Sequence, residues 1–212
     1  MRNRFSALLF TGGAAVLALG LSATSSFAAT AATWTVSPGG AITGKAGTTT
    51  LTDTTSGITL SCMSSNLTGS LKSGKGLPGK GLGTITSTSF NKCTVLSITI
   101  SLTSGKVAWK LNASSYNKTT GVTSGTITGI HVAIKNSLCT AVIDGTSATA
   151  HNGMVNVTYS NKTHVLKILP KGSNLHVWGV PKGGCDGAIK NKDTGTISGS
   201  YTLSPAQKIT SP

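Results

Sequence analysis

Glutamate is absent from the 212-residue chain, and aspartate occurs only at 53, 144, 186 and 193. Arginine occurs only at positions 2 and 4. Each aspartate lies beside Gly or Thr, where its side chain serves as a turn former. That leaves little from which to build the acid–base carboxylate pair of a glycosidase. No Gly-x-Ser-x-Gly elbow occurs; Gly145-Thr146-Ser147-Ala148-Thr149 has the first half only. The histidines at 131, 151, 164 and 176 read as packed or surface residues, although a triad can assemble from residues in any chain order. No Cys-x-x-Cys or His-x-His grouping is present, so no metal site and no cofactor are read. Gly76 to Gly81 has the outer spacing of a phosphate loop, but Leu82 and Gly83 follow where Lys and Ser or Thr belong. The expectation is a protein that is not an enzyme.

A long apolar run occurs only near the start. Arg2 and Arg4 precede a mostly apolar Ala7 to Leu21, and Ser26-Phe27-Ala28 follows. A basic start, a short apolar stretch and small residues before a cut form a secretory signal. Cleavage is placed after Ala28, with Ala31 or Ala32 as alternatives. The stretch is short for a spanning helix, which needs about 20 residues. Residues 1–28 are thus a signal peptide and 29–212 a single domain, exported and either extracellular or loosely held at the cell surface.

Gly, Ser and Thr dominate what remains, and Val and Ile abound while helix formers are scarce. This balance favours strands and turns. Val122 to Ala150 is the most strand-like stretch. Ile130, Val132 and Ile134 alternate with His131 and Ala133, which puts one apolar row on one face. Ile127 is out of phase with that row, and a bulge at Gly129 restores it. Lys135-Asn136-Ser137 reads as a turn, making a hairpin with Cys139 on its second strand. Further short strands recur between polar turns. The fold expected is an antiparallel β-sandwich, with a β-solenoid or barrel as alternatives. Gly83-Thr84-Ile85-Thr86, Gly125-Thr126-Ile127-Thr128 and Gly195-Thr196-Ile197-Ser198 share a pattern at unequal separations.

The cysteines are Cys62, Cys93, Cys139 and Cys185. Export permits oxidation. Three pairings exist on paper; Cys62–Cys93 with Cys139–Cys185 is favoured because each bond then closes one half of the chain. Sixteen lysines face four aspartates, since both arginines lie in the signal. Such an excess draws polyanions without shaping a specific site; it equally suits plain solubility. Lys72, Lys75 and Lys80 project from Lys72 to Gly83, read as a solvated, flexible Gly/Lys loop, and are the candidate contacts to an anionic polymer. Nucleic-acid specialists generally add Arg and exposed aromatics, so no specific nucleic-acid partner is expected. Trp109 and Trp178 read first as core anchors and second as the walls of a candidate apolar cleft.

The runs Thr33-Trp34-Thr35-Val36, Leu60-Ser61-Cys62, Gly69 to Gly74, Gly125 to His131, Asp144 to Ala148 and Tyr201 to Pro205 resemble a group of small exported Gly/Thr-rich proteins of actinobacteria. That resemblance implies an extracellular β-rich protein and brings no catalytic residues. The functional expectation is a secreted protein of the cell surface or extracellular space that binds anionic envelope polymers through lysine. The alternatives are a small-molecule carrier with an apolar cleft and, last, an extracellular hydrolase.

Overall fold

A computed structural model describes residues 32–137 and 139–212. The signal peptide read over residues 1–28 lies outside them. Ala31–Pro212 is one compact unit.

The described chain is built almost wholly of strands. They are β1 (Thr33–Ser37), β2 (Gly40–Ala46), β3 (Thr49–Asp53), β4 (Thr59–Leu71), β5 (Gly74–Pro78), β6 (Gly83–Val95), β7 (Ile98–Ser104) and β8 (Trp109–Asn117). There follow β9 (Val122–Ile130), β10 (Val132–Lys135), β11 (Thr140–Asp144), β12 (Gly153–Ser160), β13 (Val165–Leu169), β14 (Leu175–Trp178), β15 (Thr194–Ser204) and β16 (Lys208–Thr210). A short 3-10 turn, Gly184–Gly187, precedes β15. Every pairing is antiparallel. That removes the parallel solenoid and bears out the all-β, antiparallel, sandwich-like reading.

The large sheet closes on itself. β2 and β3 both lie along β4, and both also pair with β15 on their other side. β4 pairs with β6 along almost its whole length. The opposite edge of β6 takes β7 at one end and β8 at the other. From there the sheet continues through β9/β10, β11/β12 and β13/β14, each lying beside the one before. β13 and β14 return to β15. The facing walls of the sandwich therefore belong to one wound sheet, whose long edges are paired. Alternate residues point inward and make the core: Ile42, Leu60, Ile85, Ile127, Val155 and Ile197 are among them. The repeated tetrapeptide has a structural role here. Ile85, Ile127 and Ile197 all face this core from three separate strands.

The bulge predicted at Gly129 is present. Ile130 pairs with Gly153 and Thr128 with Met154, so Gly129 is the extra residue, at φ 86°. Ile127 and Ile130 are both 1% exposed as a result. Both favoured disulfides form, Cys62–Cys93 and Cys139–Cys185. Cys62 and Cys93 are directly opposite on β4 and β6. Cys139 sits just before β11 rather than in it, because the hairpin pairing ends at Lys135 with Thr140.

A small sheet in the order β16-β1-β5 lies apart from the ring pairings. It buries Trp34, Val36 and Ile209, and Ile209 lines a small cavity of about 40 Å³ with Leu71, Leu111 and Leu166 of the ring. The chain ends tie it down: the Tyr159 hydroxyl donates to Gln207 O, and the Gly39 N–H donates to Gln207 Oε1. One end of the ring is thereby closed.

Three strands escape the sequence pattern, namely β2, β5 and β16. β5 corrects the reading of Lys72 to Gly83 as a flexible loop. Gly74–Pro78 pairs with β1, the Gly81 N–H donates to Asn112 Oδ1, and Ala113 N–H donates to Gly79 O. Its ladder is specified by its partner, since its own side chains are mostly exposed.

The Cys139–Cys185 bond joins the 3-10 turn to the β10–β11 hairpin across a separation of 46 residues. Cys139→Ser with Cys185→Ser should destabilise the protein by about 4 kcal/mol on the loop-entropy model. A lower denaturant midpoint, with a slope that is steeper because the unlinked unfolded chain exposes more surface, is the expected result of chemical unfolding.

Candidate functional site

The end of the ring opposite the small sheet is open and apolar. A cavity of about 140 Å³ lies there. Its floor is made by inward-facing Leu51, Leu60, Ile100, Ile134, Ile143 and Val177. Its rim carries Leu96, Ile98, Ala188 and Ile189, and the Cys139–Cys185 bond belongs to its wall. Leu96 and Ile98 are 78% and 42% exposed. Leu96 stands in the two-residue turn between β6 and β7, at φ 46°, followed by Ser97 at φ 68°. Such turns are ordinarily filled by Asn and Gly. A bulky apolar residue there is strained, and it places a large hydrophobe at the lip of the cavity.

Polar residues also line it, namely Thr52, Asp53, Asn136, Asp186 and Thr196. Asp53, at the end of β3, is 6% exposed. Its Oδ1 accepts from the N–H groups of Thr55 and Ser56, the turn role expected of it. Its Oδ2 is buried and has no hydrogen-bond partner among the described residues.

A second cluster lies on the outer side of the wall. Because Ile130 and Val132 face inward, His131 between them faces out. Its Nδ1 lies 2.9 Å from Oδ2 of Asp144, which is fully buried. Asp144 also accepts from the backbone N–H groups of Gly145, His151, Asn152 and Gly153, and so fastens the segment between β11 and β12. Burial pushes its pKa up, but the His131 and backbone hydrogen bonds outweigh this and hold the carboxyl below its ordinary value. His151, at φ 49°, brings its ring within 4.3 Å of that of His131. His131 and Asp144 supply two parts of a hydrolase triad, yet no serine hydroxyl hydrogen-bonds to His131 among the described residues.

The sequence-predicted site residues fall elsewhere. Trp109 is a core residue, 5% exposed. Trp178 is half-buried, with its Nε1–H donating to Gly145 O. Neither lines the apolar cavity, which corrects their assignment to a cleft. Lys72, Lys75 and Lys80 are exposed, as are all sixteen lysines, and among the described residues none forms an ion pair. They occur on β2, β5, β6, β8, β10, β13 and β16 and in loops at both ends. Of the four aspartates, Asp53 and Asp193 do form turns, the latter accepting from Lys190 N–H. The sequence signal for the cavity was the row of alternating apolar residues in β7, β10 and β11, which reads identically for core and for pocket.

Compared with known protein families, curated proteins and solved structures, the chain matches none.

Asp144→Asn places an N–H₂ where two donors converge, and should destabilise by about 3 kcal/mol. A carboxyl with a lowered folded-state pKa contributes stability at neutral pH that is lost as pH falls through that pKa. Wild-type thermal stability should therefore drop in acid below about pH 4, and the Asn variant should show a flatter profile.

Proposed function

We propose that this is an exported, non-enzymatic binding protein whose open end takes a small apolar molecule. The cavity at the open end carries this reading. A dry, aliphatic cavity of about 150 Å³ suffices to bind a benzene-sized molecule, and this one is about 140 Å³. Burial of about six carbons contributes roughly 5 kcal/mol before association penalties, so the affinity is weaker than about 0.2 mM, in the millimolar range. Export accords with two disulfides and with the absence, among the described residues, of a helix long and apolar enough to cross a membrane.

Methyl NMR titration with benzyl alcohol and with toluene tests this. Saturable shifts at Ile134, Ile143 and Val177 are expected with both. Ala188→Trp should weaken both at least tenfold by filling the rim. Met63→Ser removes an exposed hydrophobe away from the cavity and should change nothing. Failure of either compound to saturate would sink the reading.

A second reading is favoured by a separate observation, the exposure of every lysine without an ion pair. Attraction of anionic envelope polymers would follow, with Lys72, Lys75 and Lys80 among the contacts. Retention on isolated cell walls or on heparin should then fall steeply with salt. Replacing those three by Gln should lower the eluting salt concentration only modestly, because the charge is spread over many positions.

A further inference from the structure

His131, Asp144 and His151 come from three separate places: the junction of β9 and β10, the end of β11, and the segment leading into β12. One ligand atom from each lies within 4.8 Å of the other two. The His131 Nδ1–Asp144 Oδ2 distance of 2.9 Å is close to the separation of two ligands on one small ion. His151 contributes something the hydrogen-bond network does not use. Its Nδ1 is buried and has no partner among the described residues. A buried nitrogen left unpaired costs roughly 1–3 kcal/mol, and the ring is held there by a backbone conformation that is itself unfavourable for histidine. Both features are paradoxical for a mere loop clamp, which Asp144 provides without the His151 side chain.

We propose that His131, His151 and Asp144 bind a divalent transition-metal ion. Two imidazoles and one carboxylate select zinc or copper(II) over magnesium and calcium, which prefer all-oxygen sets. Ligands about 2.0–2.2 Å from a tetrahedral ion are about 3.3–3.6 Å apart. The set, whose atoms lie within 4.8 Å of one another, therefore closes by about an ångström on binding. The backbone donors to Asp144 hold the carboxylate ionised and aligned, the role that outer partners play at metal sites. The side chain of His131 is 16% exposed, which leaves a path for the ion and a position for water.

The test is calorimetric and NMR titration of the full mature chain with zinc chloride, copper(II) sulfate and magnesium chloride. Zinc or copper should bind with one equivalent per chain and shift the ring signals of His131 and His151; magnesium should do neither. His151→Asn suits the left-handed backbone and should keep the fold, checked by circular dichroism, while lowering affinity at least tenfold. His131→Gln should do the same. His164→Gln, at a histidine outside the cluster, should leave affinity unchanged. Absence of a one-equivalent site, or binding that survives His151→Asn, overturns the proposal; weak binding at several equivalents unaffected by any variant does so too.

Discussion

The pairing of β15 with two neighbours on opposite sides is the contact on which the remaining structure depends. Tyr201 to Ser204 pair with β2 and Gly195 to Ser198 with β3, while the same strand meets β13 and β14 on its other edge. Without it the wound sheet would present two long unpaired edges, each a template for association. With it the sheet has one inside, and every inward residue shares a single core. A buried polar chain marks this seam. Thr49 and Ser65 hydroxyls are hydrogen-bonded, and Ser65 Oγ donates to the Tyr201 hydroxyl. Burial pushes the Tyr201 pKa up despite these bonds, so the ring stays a neutral hydrogen-bonding group within the core.

Closure also creates an asymmetry between the two ends. One is covered by the small sheet and the anchored C-terminal segment. The other carries the β6–β7 turn and the disulfide-tethered turn at Gly184–Gly187, in which Cys185 and Asp186 both have positive φ. Inward aliphatic side chains that are core at the covered end become cavity lining at the open one. The same alternation therefore produces stability and a binding surface, and what separates the two is whether something covers them.

The histidine–aspartate cluster follows a different logic. It sits where a strand is interrupted and the backbone leaves the sheet between Asp144 and Gly153. Several N–H groups lose ladder partners there, and the Asp144 carboxylate replaces them. A residue chosen for satisfying backbone donors thus brings charge next to two imidazoles. Its position as a turn aspartate was legible from Asp144-Gly145; its company was not, because His131 and His151 reach it only through strand pairing.

What the sequence determined by itself was local. Period-2 apolar rows gave most of the strands, Gly129 set the bulge that keeps Ile127 and Ile130 on one face, and the cysteine spacing favoured the pairing that both disulfides have. These follow from backbone sterics, side-chain alternation and chain proximity, all readable within a few dozen residues. The tertiary structure alone decided that Gly74–Pro78 is a strand, that Trp109 and Trp178 lie away from the cavity, and that the sheet closes. Each of these rests on partners distant in the chain. Hydrogen bonds in an edge ladder are indifferent to side-chain type, and an inward Ile gives no sign of whether it will meet another side chain or an empty space.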